Sequence, residues 1–234
     1  MGSEVVMDEI ARFAIYAVPD GAFYRTGADW LGWDSVAGAE TQHPVLDGLP
    51  GSAAVLTETP RKYGFHATLK APFRLAHDTT RTDLERAVAA FASARPPIEI
   101  AALEIRPIAG FVAAVPAVPT PALSDLAGAL VTALDAFRGP LSEAELARRR
   151  KAPLTERQDE MLRRWGYPYV FDEFRYHMTL SGRLSADAAE ALSRRLHEHF
   201  ASVMPVPYVL RDLALLGEAR DGRFHVLNRY ALAG

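Results

Sequence analysis

Phe65-His66-Ala67-Thr68-Leu69-Lys70 is echoed about 110 residues later by Tyr176-His177-Met178-Thr179-Leu180-Ser181. Both units read aromatic-His-x-Thr-Leu. Each is followed by an Arg-Leu pair, Arg74-Leu75 and Arg183-Leu184, and then by a helical pattern. At this chain's own residue frequencies His-x-Thr-Leu is expected by chance roughly 0.04 times, so two matched occurrences are on the order of a one-in-a-thousand coincidence. Both units have strand character, and successive strand side chains alternate between faces. Phe65, Ala67 and Leu69 therefore share an apolar face, with His66, Thr68 and Lys70 on the other. Tyr176, Met178 and Leu180 divide from His177, Thr179 and Ser181 in the same way. Two such polar faces meeting across a cleft bring together two imidazoles and two hydroxyls. The plainer alternative is that each histidine is structural, hydrogen-bonded within a sheet.

Outward from these units, residues 13–18 read as a buried strand ended by Pro19-Asp20-Gly21. Residues 22–34 have aromatic and Leu positions at helical spacing, with Trp30 and Trp33 placed i, i+3 for core packing. Residues 43–52 are loop. Residues 80–94 form a helix capped by Thr80, with Leu84, Val88 and Phe91 on one face. Residues 98–106 and 111–115 form a hairpin turning near 107–110. Pro116, Pro119 and Pro121 mark the sharpest break, and Pro121 suits the first turn of a helix reaching about Phe137. Residues 142–151 and 155–165 give two charged helices, 185–200 another. Residues 208–216 and 224–232 are strands around Asp221-Gly222. Hairpins mixed with single helices predict an α+β fold with mostly antiparallel sheets, not a doubly wound parallel sheet. No Gly-rich phosphate loop occurs at a strand-to-helix turn.

The 234 residues carry 49% hydrophobic and 24% charged side chains, ordinary for a globular protein and enough to build a core without staples. Cysteine is absent, which excludes disulfides, thiolate metal sites and cysteine nucleophiles. A formal net charge of -3 argues against non-specific coating of polyanions while leaving room for a local basic cleft. The apolar run 13–18 is too short to span a bilayer, and Asp8, Glu9 and Arg12 precede it rather than a basic leader. Met1-Gly2-Ser3 is a poor myristoylation match, because the sixth position is neither Ser nor Thr. The expected location is cytoplasmic, with no membrane contact.

Two imidazoles and two hydroxyls suit a cyclic phosphodiester. One neutral imidazole takes a proton from the attacking water or hydroxyl, and the other, protonated, gives one to the leaving alkoxide. An ordinary His pKa of about 6.5 lets both forms coexist near neutrality. Thr68 and Thr179 can bind the non-bridging phosphate oxygens, and Lys70 can add positive charge. This chemistry calls for no metal and no cofactor.

With these motifs the chain resembles the two-histidine (2H) phosphoesterase superfamily, which includes RNA 2',3'-cyclic phosphodiesterases and LigT-like RNA-ligating enzymes. The run Arg61-Lys62-Tyr63-Gly64-Phe65-His66-Ala67-Thr68-Leu69-Lys70-Ala71-Pro72-Phe73, with Trp30-Leu31-Gly32-Trp33-Asp34, is similar to an uncharacterised branch encoded beside phosphonate-degradation genes. The resemblance implies one bilobal phosphoesterase domain over residues 1–234. It implies two mostly antiparallel sheets with flanking helices, pseudo-two-fold symmetry and a cleft between the lobes. It makes His66 and His177 the acid–base pair and Thr68 and Thr179 the phosphate ligands, without saying which histidine is acid. The implied partner is a small cyclic phosphate, a 2',3'-cyclic nucleotide or a ribose cyclic phosphate, or an RNA end. The alternatives are a non-catalytic RNA- or nucleotide-binding module on the same fold and an RNA end-ligating enzyme. Protein partners stay unspecified.

Residues 138–172 read as a helical insertion with Arg148, Arg149, Arg150, Lys151, Arg163 and Arg164, followed by Trp165-Gly166-Tyr167-Pro168-Tyr169. They are either solvated helices with a surface turn or a lid whose aromatics stack on a base and whose arginines meet phosphate. Tyr63, Lys70, Ser181, Tyr167 and Tyr169 are the further candidate substrate contacts. His197-Glu198-His199 is not read as a metal pair, because i and i+2 on a helix point apart. His77-Asp78 lacks the companions of a metal-dependent phosphohydrolase, His43 and His225 read as surface or structural, and Gly-x-Ser-x-Gly is absent.

Overall fold

The computed structural model describes residues 10–151 and 153–234. Asp8, Glu9 and the Met1-Gly2-Ser3 start lie outside the described residues. The strands are β1 (Arg12–Ala17), β2 (Trp33–Asp34), β3 (Ala39–Glu40), β4 (Ala67–Phe73), β5 (Ile98–Ile100), β6 (Leu103–Ile108), β7 (Phe111–Pro116), β8 (Met178–Thr179), β9 (Tyr208–Leu210), β10 (Asp212–Glu218) and β11 (Phe224–Ala231). The helices are α1 (Gly21–Leu31), α2 (Ala53–Leu56), α3 (Glu58–Arg61), α4 (Arg81–Ser93), α5 (Pro121–Ala133), α6 (Glu143–Arg149), α7 (Glu156–Trp165) and α8 (Ala186–Phe200).

The fold is α+β. Seven strands form one sheet in the order β11-β10-β1-β4-β8-β7-β6, with every neighbouring pair antiparallel. The two expected sheets are joined edge to edge as the two halves of this one sheet. They join where β4 meets β8, in the register Ala67 opposite Met178. Both of these side chains are fully buried. Strand alternation then turns His66, Thr68, His177 and Thr179 to the opposite face. Antiparallel register around Ala67–Met178 sets His66 across from Thr179 and Thr68 across from His177.

Helix α4 packs on β10 and β11, and α8 packs on β6 and β7. Thr80 caps α4 by accepting from the Asp83 amide, and Ser185 caps α8 through the Ala188 amide. Helix α5 packs on β4. The segment after it carries capping boxes at Ser142 and Thr155. It docks on α5 through a small cluster of Val131, Met161 and Val170, with Trp165, Tyr167 and Phe171 packed beside it.

Several expected elements differ in detail. Helix α1 stops at Leu31, because Gly32 takes the left-handed conformation (φ 80°) and its amide caps onto the Ala28 and Asp29 carbonyls. Trp33 therefore stands on β2, not on a helix with Trp30, although both rings are buried. The run 98–106 divides into β5 and β6, and 208–216 into β9 and β10. β5 pairs with β9 in a separate two-stranded sheet. At the break points the Ala102 and Arg211 carbonyls accept from the Ala117 and Leu232 amides, so the backbone stays satisfied. The second motif has only Met178 and Thr179 in the ladder. Its flanks bond elsewhere: the Leu180 amide to the Val112 carbonyl and the Gly182 amide to the Leu56 carbonyl.

Phe65, next to the first histidine, is fully buried and packs edge-on against Phe23. It lies directly on Gly27 of α1, where an added Cβ would stand 2.1 Å from its Cδ1. Gly27→Ala should therefore destabilise the fold by about 1–3 kcal/mol through overpacking, lowering Tm by roughly 2–4 °C per kcal/mol. Thermal unfolding followed by circular dichroism measures this, and an unchanged Tm would contradict the contact.

Candidate active site

The two histidines stand just before β4 and β8 and are held by the same device. His66 Nδ1 donates to the Gly64 carbonyl at 3.0 Å, and His177 Nδ1 donates to the Arg175 carbonyl at 2.7 Å. Each acceptor lies two residues upstream of its histidine. A carbonyl can only accept, so Nδ1 carries the hydrogen in both neutral rings and Nε2 is left with the lone pair. His66 Nε2 accepts from the Thr68 hydroxyl at 3.1 Å. Gly64 makes the first arrangement possible. Its φ is 74°, and a Cβ there would stand 2.6 Å from Ser35 Oγ.

Aromatic rings frame both imidazoles. Tyr16 of β1 stacks on His66 with ring centroids 3.7 Å apart and planes 17° from parallel. The register Tyr16 opposite Thr68 puts it there. Tyr63 is tilted against His66 at 6.2 Å, and Phe111 against His177 at 5.6 Å. Burial is the main cause that lowers the His66 pKa, to about 4. The nearby His177 charge lowers it further, and the Gly64 carbonyl opposes both. Burial also lowers His177 below the ordinary imidazole value, against the Arg175 carbonyl. Both rings are thus held neutral at pH 7.

The structure brings His66, Thr68, His177 and Thr179 into one cleft of about 460 Å³, within the usual range of ligand sites. Tyr63, Tyr167 and Ser181 also line it. Ser181 is committed to the backbone: its hydroxyl accepts from the Val112 amide at 2.9 Å and donates to the Gly182 carbonyl at 2.9 Å. Two expected contacts fall outside. Lys70 lies farther along β4, buried beneath α5, and its Nζ donates to the Val131 carbonyl at 3.2 Å. Burial pushes its pKa down to about 8, with Asp135 raising and Arg138 lowering it. The hollow beside Lys70 is only about 20 Å³, too small for a substrate. Tyr169 is exposed and touches the cleft only through its neighbour Tyr167, with ring centroids 5.5 Å apart. His43, held by the Trp30 carbonyl, and His225, edge-on to Trp33, lie away from the cleft.

Sequence reasoning missed Tyr16, Arg12, Lys62 and Thr59, which also line the cleft. Tyr16 sits within an apolar strand, and nothing local marks one ring of that run as a cleft floor. Arg12 enters from the first position of β1, where Glu218 of β10 holds it by two bonds of 2.5 and 2.7 Å. Among the described residues no helix is long and apolar enough to cross a membrane.

Residues 68–225 match the profile of a family described as "Protein of unknown function (DUF1045)". The chain is 36% identical over 225 residues to the "Ribose 1,5-bisphosphate phosphokinase PhnN" of Janthinobacterium sp. (strain Marseille), covering 93% of this chain and 50% of that protein. It is 34% identical over 221 residues to the protein of the same name from Laribacter hongkongensis, covering 90% and 49%. The chain spans about half the length of these curated relatives. Among solved structures it is similar to E. coli LigT complexed with 3'-AMP, with a TM-score of 0.44 and 18% identity over 97% of this chain and 100% of that one. A protein of Thermus thermophilus, TT0787, gives a TM-score of 0.46 and 15% identity over 95% and 98%.

Nitrogen-15 NMR of the imidazoles checks the electrostatics of the cleft. His66 should stay neutral with its hydrogen on Nδ1 from pH 8 to about pH 5 and protonate near pH 4. Its folded pKa lies below the unfolded value of about 6.5. The stability linked to it is therefore complete above pH 6.5 and is lost as pH falls toward 4. A His66 titration at 6.5 would mean an open, solvated ring.

Proposed function

The chain belongs to the DUF1045 family, and from that premise we propose that it is a metal-independent cyclic phosphodiesterase acting on a small cyclic phosphate. The observation that carries this reading is the pair of imidazoles in one cleft, each with Nδ1 tied to its own backbone and Nε2 left for proton transfer. A recognition module has no need of two matched imidazoles beside two threonine hydroxyls, whereas phosphodiester hydrolysis uses one as base and one as acid. The phosphokinase activity in the curated relatives' name is said of those longer proteins. Their name supports only a class of molecule, a phosphorylated pentose, which agrees with a ribose cyclic phosphate as substrate.

In the proposed reaction the cyclic phosphate sits with its non-bridging oxygens on Thr68 and Thr179. A neutral imidazole takes a proton from water as the water oxygen bonds to phosphorus. One ring P–O bond breaks, and the leaving oxygen receives a proton from the other, protonated, imidazole. Water is added across the ester, and the two histidines regain their starting states by exchanging protons with solvent. His66 carries the larger pKa depression, which assigns it the base and leaves His177 as the acid. Residues 138–172, which supply Arg148, Arg149 and Tyr167 to the cleft wall, act as a lid that restricts entry to small substrates.

Three outcomes test this. His66→Ala and His177→Ala should each lower kcat on 2',3'-cyclic nucleotides or ribose cyclic phosphates by roughly 100- to 10,000-fold, in EDTA. Phosphorus NMR of the turnover reads this, and near-normal turnover by either variant removes that histidine from the mechanism. On a p-nitrophenyl phosphodiester, whose leaving group needs no proton, the His177→Ala defect should shrink at least about tenfold while the His66→Ala defect persists. Because both imidazoles are depressed, kcat/KM should peak below pH 6.5 and fall about tenfold per unit on the alkaline side, as the acid loses its proton. A kcat/KM that rises steadily from pH 5 to 9 is incompatible with two-histidine catalysis.

A further inference from the structure

The cleft holds more positive charge than one phosphodiester requires. Arg12, Lys62, Arg148 and Arg149 all line it, and among the described residues no carboxylate does. Arg12 is neutralised by Glu218. Arg149, at the end of α6, is different. Its guanidinium lies 5.3 Å from the Tyr167 ring centroid, and its Nε is buried without a hydrogen-bond partner. Among the described residues it forms no ion pair. A buried guanidinium N–H lacking an acceptor is costly, and such a group calls for a ligand. Burial is the largest influence against its charge; Tyr167 favours the charge, Arg12 and Arg148 oppose it, and Glu145 favours it. The two histidines and two threonines already account for the scissile phosphate, and all four are uncharged in the resting site.

We propose that Arg149, with Arg148 and Lys62, forms a second anion subsite in the same cleft, so that the substrate is a small molecule carrying a phosphomonoester besides its cyclic phosphate. The proposal rests on reading the His66–His177 cleft as the phosphate site, and it deepens that reading by naming the substrate class. A phosphomonoester offers up to two negative charges and three acceptor oxygens, enough to satisfy the buried Nε–H of Arg149 and to separate the cations that now face one another. A cleft of about 460 Å³ holds a phosphorylated sugar or a nucleotide. Arg148 and Arg149 come from the segment between α5 and β8, and Lys62 from the stretch between α3 and β4. Substrate class is therefore set by residues that the repeated motif does not contain.

Calorimetry on the His66→Ala protein tests this without relying on turnover. The ligand pairs are 3'-AMP against adenosine 3',5'-bisphosphate, and ribose 5-phosphate against ribose 1,5-bisphosphate. At least one bisphosphate should bind about tenfold to a hundredfold more tightly than its monophosphate, the worth of one charged hydrogen bond or more. The gain should shrink as salt rises. Arg149→Gln should bring the ratio close to one, and Arg149→Lys, which keeps the charge, should retain part of it. If neither bisphosphate gains over its monophosphate, the subsite does not exist, whatever the enzyme hydrolyses. If a short RNA ending in a 3'-phosphate binds more tightly than both bisphosphates, and Arg149→Gln abolishes that advantage, the second anion is a backbone phosphate and the small-molecule assignment falls. Hydrolysis of a cyclic phosphate without any bisphosphate preference would sink this proposal and keep the catalytic one. The reverse pattern would do the opposite.

Discussion

One antiparallel pairing, Ala67 against Met178, places the reactive groups of the cleft. Both strands are central in a seven-stranded sheet, and both side chains at the pairing are buried to the limit. A slip of one residue on either strand would bury a histidine and a threonine and expose apolar groups, because the side-chain period is two. The cost of burying those polar groups without partners holds the register. Directly opposed residues in such a pair keep Cβ atoms about 4.5–5.5 Å apart. The pairing thereby brings two imidazoles and two hydroxyls together on one face of the sheet.

Around these groups the backbone does the orienting. Each histidine is tied through Nδ1 to a carbonyl two residues before it, so its rotation and its tautomer follow from the path of the chain entering the strand. At Gly64 that path needs a left-handed conformation and room against Ser35. The same burial that fixes the rings also discharges them, most strongly at His66 under the stacked Tyr16. A negative charge brought beside the rings acts the other way and favours the imidazolium. The cleft is thus neutral at its two imidazoles and cationic along its wall, an arrangement that draws anions inward.

The segment between α5 and β8 gives the site its individual character. It is tied to α5 through its own small apolar cluster and sends Arg149 and Tyr167 into the cleft. Its surface ion pairs, such as Arg157 with Asp172 and Arg150 with Asp159, add little stability individually. The packing of Met161, Val170 and Val131 anchors it instead. The cleft is therefore built by different parts of the chain, a repeated strand motif and an interposed helical segment.

Local signals along the chain specify the α+β class, the placement of the long helices and the shared face of each His-x-Thr pair that meets in the cleft. Those signals are helical apolar spacing, the Thr80 and Ser185 caps, and a doubled His-x-Thr whose strand alternation needs no knowledge of the partner strand. Strand lengths are less legible. Where a run such as 98–106 or 208–216 breaks depends on which neighbour each half can pair with, and no local signal encodes the neighbour. Tertiary packing alone settles that Lys70, which alternation places beside Thr68, disappears beneath α5. It also settles that Tyr16 and Arg12 reach the cleft from β1, and that Arg149 rather than Tyr169 lines it. Each of these depends on what packs across the sheet or over it, contacts between residues far apart in the chain that side-chain periodicity does not carry.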